Sequence, residues 1–329
     1  MNPLIRAVGL VLAIIVPAAA VVALRGTVAQ TGVPAATDRP VYDQSDLARV
    51  DYAGLPAPGA VTARDGTRLA VRVYESQSEV AILAIHGSSG SGRYYHPLAR
   101  YLSERGKATV YALDLRGHGE SGGRRGDVDY IGQLEDDVTD VLATIRADRP
   151  RARVVLLGHS AGGGLIVRYA GGERGRVVDG YVLLAPYLGP LAPTTKPDSG
   201  GWARADLQKI VALATKAAQG DTSGQEEIVL RFNQPPGTGA PGQVLAYSFR
   251  MVVSYTPRQD LGRDLASLRR SLLVLTGERD ESFYPDRYAP TIAPHANGTF
   301  VTLTGVTHLG VVVNRRTAEE IEAWLGKLP

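Results

Sequence analysis

The sequence predicts an α/β fold with a doubly wound, mostly parallel sheet. Two observations carry this expectation. Short continuous apolar runs, such as "VAILAI" at 80–85, "VVLL" at 154–157 and "SLLVL" at 271–275, have the length and β-branched content of buried strands. Between them lie segments with helical periodicity, and strands alternating with helices build parallel sheets covered on both faces.

Taken in order, the chain opens on an uncharged apolar run at 7–24, flanked by Arg6 and Arg25. Its 18 residues exceed the apolar core of a secretory signal and reach the lower range of a membrane span. It fits an uncleaved anchor or a cleaved signal, with "TVAQ" at 27–30 the nearest cleavage candidate. Either one places the remainder outside the cytoplasm: membrane-anchored in the first case, secreted or periplasmic in the second. We therefore assign 1–25 to signal-anchor or signal peptide, 26–60 to a Pro-, Thr- and Ala-rich tether and irregular lead-in, and 61–329 to the folded domain. Within that domain, 67–75 alternates as a strand, 80–87 is a buried strand ending in glycine, and 108–119 gives a strand and a polar loop. Apolar residues at 131, 134, 138, 141, 142 and 145 mark an amphipathic helix. A strand at 154–157 hands over to a helix from 161 to about 170, and 179–186 is a further strand.

The next buried strand, 271–277, follows only after about 85 residues, far more than a simple crossover needs. An insertion at about 187–264 is expected there, a helical lid with helices at 202–218 and at 243 to about 255, separated by a Pro/Gly loop at 233–242. It carries Trp202, Leu207, Phe232, Leu245, Phe249 and Met251, apolar groups suited to an acyl chain, although ordinary core packing explains most of them. A strand at 298–305 and a closing helix from about 317 to 328 complete the fold.

Composition narrows the chemistry. At 44% hydrophobic and 21% charged residues the chain is ordinary for a globular protein. The net charge of +3 is small and its arginines are scattered, which excludes a nucleic-acid footprint. With no cysteine there is no disulfide, thiol catalysis or zinc–thiolate site. No metal-ligand spacing occurs. "HGSSGSGR" at 86–93 fails as a phosphate loop, because Arg93 and Tyr94 stand where Lys and Ser/Thr are required. No cofactor, metal or nucleotide is expected.

What the sequence does offer is "GHSAG" at 158–162, a G-x-S-x-G at a strand-to-helix turn, where the glycines leave room for a strained serine. A serine hydroxyl needs a base to take its proton and a third group to orient that base. Among six histidines, His308 alone follows the last strand. His295 precedes that strand and belongs at the opposite end of the sheet. His86 and His159 are built into turns, His96 follows the first glycine-rich loop, and His118 sits in a flexible polar loop. For the acid, Asp280 stands just past the strand at 271–277, with Glu278, Glu281 and Asp286 as rivals. The backbone N–H groups of Ala161 and of Ser88, in the loop after "AIHG", are the candidate oxyanion donors.

"HGSSGSGRYYHPLARYL", "DLRGHGESGG", "GHSAGG", "TGERDE" and "GVTHLG" occur in the order and spacing of α/β-hydrolases. They most resemble the monoacylglycerol lipase and lysophospholipase branch, also labelled serine aminopeptidase-like. The resemblance covers about 61–328 and is weakest at 187–264. It implies a catalytic triad of Ser160, Asp280 and His308, an oxyanion hole at Ser88 and Ala161, and a structural role for 114–121. The expected reaction is hydrolysis of a carboxylic ester, on a small-molecule or single-chain lipid substrate, next to a membrane surface. An amidase or peptidase uses the same triad, and a non-catalytic scaffold on this fold is the contrasting class.

Overall fold

The structure, a computed structural model, describes residues 43–173, 175, 178–197, 201–233 and 242–328. The apolar run at 7–24 and most of the Pro/Gly loop at 233–242 lie outside the described residues. Among the described residues no helix is long and apolar enough to cross a membrane.

Eight strands form one sheet: β1 (Gly59–Thr62), β2 (Arg68–Tyr74), β3 (Val80–Ile85), β4 (Thr109–Leu113), β5 (Arg153–His159), β6 (Gly180–Leu184), β10 (Ser271–Gly277) and β11 (Thr299–Leu303). Their spatial order is β1-β2-β4-β3-β5-β6-β10-β11. Pairings from β4 through to β11 are parallel, whereas β1 with β2 and β2 with β4 are antiparallel. The runs that read as buried strands are buried: every residue of β3, β4 and β6 is, and only the first residue of β5 and of β10 is not. A parallel strand covered by helices on both faces has no solvated side, so it shows no alternation.

Helices α1 (His96–Glu104), α2 (Gln133–Asp148) and α3 (Ala161–Gly171) make the crossovers after β3, β4 and β5. The chain leaves β3 towards β4 and returns to β5 on the other side of β3. The strand order reverses there, and a crevice opens beyond the strand ends at such a point. Ile85 is paired with Gly158 across it.

The lead-in is less irregular than expected. Ser45–Ala48 forms a helical turn, and β1 starts at Gly59, pairing its Gly59 with Val71. The insertion departs further from the expected helical lid. It holds a three-stranded antiparallel sheet, β7 (Ala203–Ala205), β8 (Ile228–Phe232) and β9 (Ala246–Ser248), with α4 (Leu207–Ala218) and α5 (Phe249–Tyr255). Residues 202–205 are therefore not helical. Asp206 caps α4 by accepting the Lys209 N–H at 3.0 Å, so the helix starts after the cap. Likewise 243–248 is not helical, because Ser248 caps α5 by accepting the Met251 N–H at 3.1 Å. The closing helix α6 (Arg315–Leu325) begins earlier than predicted, on an Asn314 cap.

Candidate active site

At the end of β5 the chain turns through Ser160 at φ 52°, ψ −119° and enters α3 directly. A side chain in this conformation is strained and persists only where the surroundings enforce it. Two flanking glycines make the turn possible. A Cβ on Gly158 would meet Gly162 O at 2.6 Å, and one on Gly162 would meet Ile85 O at 2.2 Å. The turn is also held from outside, since the Ser160 N–H donates to Leu184 O at 3.0 Å and Ser160 O accepts from Tyr187 N–H at 2.9 Å.

Two strands away, β10 ends at Gly277, where a Cβ would come within 2.3 Å of Val306 O. That close approach brings the turn after β10 against the loop after β11. Asp280 Oδ2 and His308 Nδ1 are 2.7 Å apart, and both side chains are 1% exposed. Asp280 Oδ1 accepts the N–H groups of Ser282 and Phe283, each at 2.8 Å. The carboxylate is thus oriented by its own turn and presents one oxygen to the imidazole. Lys196 Nζ donates to the Asp280 carbonyl at 2.5 Å.

The rival carboxylates are sorted by geometry. Glu278 Oε2 accepts Gly305 N–H at 2.8 Å, Asp286 is exposed, and Glu281 reaches the histidine's backbone rather than its ring. Glu281 Oε2 accepts His308 N–H at 2.9 Å, while its Oε1 accepts Asp43 N–H at 3.1 Å. The lead-in is thereby tied to the loop that carries His308.

Behind the serine, His159 bridges two parts of the site. Its Nε2–H donates to the His308 carbonyl at 3.0 Å, and its Nδ1 accepts from Tyr94 Oη at 3.1 Å. Tyr94 Oη in turn accepts Gly87 N–H at 2.5 Å. Burial, reinforced by the neighbouring His308, pushes the His159 pKa well below its ordinary value. A neutral ring with one fixed proton follows, which the two opposite bonds require. The His159 and His308 rings lie 4.6 Å apart.

The loop after β3 abuts the elbow, since a Cβ on Gly87 would lie 3.0 Å from Ser160 Cβ. Neither the Ser88 nor the Ala161 N–H is engaged by a partner among the described residues. His118 does not lie in a flexible loop: it is 1% exposed, because Nδ1–H donates to Arg116 O at 2.9 Å and Nε2 faces Tyr247 Oη at 2.6 Å. The 114–121 segment acts structurally, with Asp114 Oδ1 accepting Gly92 N–H at 2.7 Å and Oδ2 accepting Glu120 N–H at 2.8 Å. His86 and His96 are also buried, and His295 is exposed just before β11, at the opposite end of the sheet from Ser160.

The insertion covers this edge with aromatic side chains. Trp202 stacks on Phe232, which meets Tyr247 at 4.8 Å; Tyr247 contacts Tyr255, and Tyr187 lies between Tyr255 and Phe283. Phe283 completes the row 5.1 Å from the His308 ring. Trp202, Phe232, Phe249 and Met251 are buried, whereas Leu207 and Leu245 are exposed. Sequence reading missed Tyr94, Tyr247 and Tyr255, which no local pattern distinguishes from core tyrosines.

A family model described as serine aminopeptidase, S33, matches residues 76–237. The chain is 32% identical over 149 residues to a monoacylglycerol lipase of Mycolicibacterium smegmatis, covering 39% of this chain and 52% of that one. It is 31% identical over 141 residues to the monoglyceride lipase of Rattus norvegicus, covering 42% and 45%. The chain thus spans about half the length of these curated relatives. Among solved structures, a soluble variant of monoglyceride lipase from Saccharomyces cerevisiae in complex with a substrate analog aligns with a TM-score of 0.63 at 18% identity, over 83% of this chain and 95% of that one. Sheet order, elbow and solved structures agree on the α/β-hydrolase fold, and the curated relatives that the chain matches include monoacylglycerol lipases.

Proposed function

We propose that the protein is a serine hydrolase of carboxylic esters, with Ser160, His308 and Asp280 as its triad. The observation that carries this reading is the buried 2.7 Å contact between Asp280 and His308, set beside a serine held at positive φ. Ser160 Oγ attacks the ester carbonyl carbon while His308 accepts its proton, and Asp280 holds the imidazolium that forms. The tetrahedral oxyanion is bound by the Ser88 and Ala161 N–H groups. On collapse His308 passes its proton to the departing alcohol. Water then repeats the cycle on the acyl-enzyme and releases the acid.

The substrate class is a lipid ester with one acyl chain, and the insertion is its lid. Support comes from the lipase relatives and the aromatic row above the histidine. Among the described residues the exposed large apolar side chains are Tyr130, Leu191, Leu207 and Leu245, of which all but Tyr130 lie in the insertion. On this reading the uncharged run at 7–24 sends the catalytic domain across a membrane, where it is anchored or, after cleavage, secreted or periplasmic.

Ser160→Ala tests the core of this reading. Ester turnover is expected to fall by about 10⁴-fold or more with the fold intact, and labelling by a fluorophosphonate to disappear. A variant keeping a tenth of the activity removes the assignment. A matched series of acyl esters and acyl amides then separates esterase from amidase.

A further inference from the structure

We infer that Tyr247, a residue of the insertion, is a positioning residue for the oxyanion hole, holding the loop that presents the Ser88 N–H. The inference rests on the proposed roles of Ser160 and Ser88.

The loop has an intrinsic weakness. Ser89 adopts φ 64°, a left-handed conformation that costs a residue with a Cβ about 1–2 kcal/mol. Ser89 is also 3% exposed, so its N–H requires a partner inside the protein. None comes from the sheet. Tyr247 Oη supplies it from the insertion, 158 residues further along the chain, at 2.8 Å.

The direction of each bond follows from His118. Its Nδ1–H is committed to the Arg116 carbonyl, and burial beside His86 brings its pKa down to about 3, so Nε2 carries a bare lone pair. Tyr247 therefore donates its O–H to Nε2, which leaves its oxygen to accept the Ser89 N–H. Phenylalanine keeps the ring's contacts with Phe232 and Tyr255 and leaves both groups buried without a partner.

A further tie runs between the same elements. Ser89 Oγ donates to the Val244 carbonyl at 2.5 Å. Ser89 is thus held by the insertion through both its backbone N–H and its side chain. The holder is itself fixed: Ser248 N–H donates to Gly126 O at 3.0 Å, Ser248 Oγ donates to Asp127 at 2.6 Å, and Arg250 pairs with Asp127 at 2.7 Å. The β3 loop acquires its geometry only when the insertion is seated on it, so the insertion completes the site as well as covering it.

The test is Tyr247→Phe in the full-length protein, assayed on a short water-soluble ester. Turnover should fall about 10–100-fold with KM within about twofold, because a displaced oxyanion donor weakens the transition state rather than substrate binding. The rate of inactivation by a fluorophosphonate, whose attack passes through a comparable oxyanion, should fall in parallel. A variant that loses thermal stability with kcat unchanged has only a structural tyrosine, and the inference is overturned. Should Tyr247→Phe not fold, His118→Ala and His118→Gln read the linkage from its other end. The glutamine oxygen accepts the same O–H, so His118→Gln should retain most of the turnover that His118→Ala loses; equal turnover in the two overturns the inference. Full activity in Tyr247→Phe beside an inactive Ser160→Ala removes the inference and leaves the triad standing. An active Ser160→Ala removes the triad itself.

Discussion

Strands β5 and β9 show two ways of fixing a functional residue. β5 is seven residues long with six of them buried, is paired on both sides, and delivers Ser160 from its end. β9 is three residues long, pairs only with β8, and delivers Tyr247 from its middle. The first position is set by hydrophobic burial along a whole strand. The second is set by side-chain hydrogen bonds at Tyr247, Ser248 and Asp127. Area-driven placement tolerates loss of any one contact, while bond-driven placement concentrates the effect on one hydroxyl.

Substitutions can break this comparison, the largest at the sheet edge. Asp280→Asn should lower kcat by about 10⁴-fold, because an amide in that turn favours the wrong histidine tautomer. Glu278→Gln, at a side chain that accepts the Gly305 N–H rather than meeting the histidine, should change kcat less than about tenfold in the same assay. Equal losses would mean that the 2.7 Å contact does not identify the orienting acid. In stability the contrast should run the same way. Gly162→Ala drives a methyl into Ile85 O and should cost about 2–3 kcal/mol in urea unfolding. Gly220→Ala in the insertion meets instead a positive φ, of 84°, with open space around it, and should cost about 1 kcal/mol. If the insertion glycine proves the costlier, the sheet edge is not the rigid partner.

The sheet was legible because each buried strand is a local apolar run, and the elbow was legible because glycine, serine and glycine fall at its end. Glu278, Asp280 and Glu281 all follow β10 within four residues, so chain position left them as rivals; in the fold it is the Asp280 side chain that meets His308 Nδ1. The insertion was misread for a physical reason. β7 and β9 are too short to show alternation, and helix periodicity continued through Asp206 and Ser248, whose caps stop it. Tyr247 was invisible because its partners lie 158 and 129 residues away. His118 looked like a loop residue for the same reason: its second partner belongs to the insertion. In the lead-in, β1 went unrecognised because its four residues pair with β2 and carry no buried side chain of their own.

The buried imidazoles have a thermodynamic consequence of their own. His86, His96, His118 and His159 each give one ring proton to a backbone carbonyl, and each takes a bond from a donor on the other nitrogen. Burial lowers all four pKa values, His118 to about 3. An unfolded chain binds these protons near pH 6.5 and the native one refuses them. Their stabilisation is therefore complete above pH 6.5 and drains away as the solution is acidified towards the native values, at about 1.4 kcal/mol per pH unit for each proton taken up. Asp65, held near 2 by Arg116, adds its share only below its ordinary carboxylate range. Between pH 6.5 and about 4 the loss belongs mainly to the histidines. Urea midpoints should be level from pH 8 to 7 and fall steeply between pH 6 and 4.5, and His118→Gln should flatten that slope. A midpoint unchanged across this interval would show that the four rings accept protons in place. Acid tolerance in this fold is thus set largely by buried imidazoles outside the proposed triad.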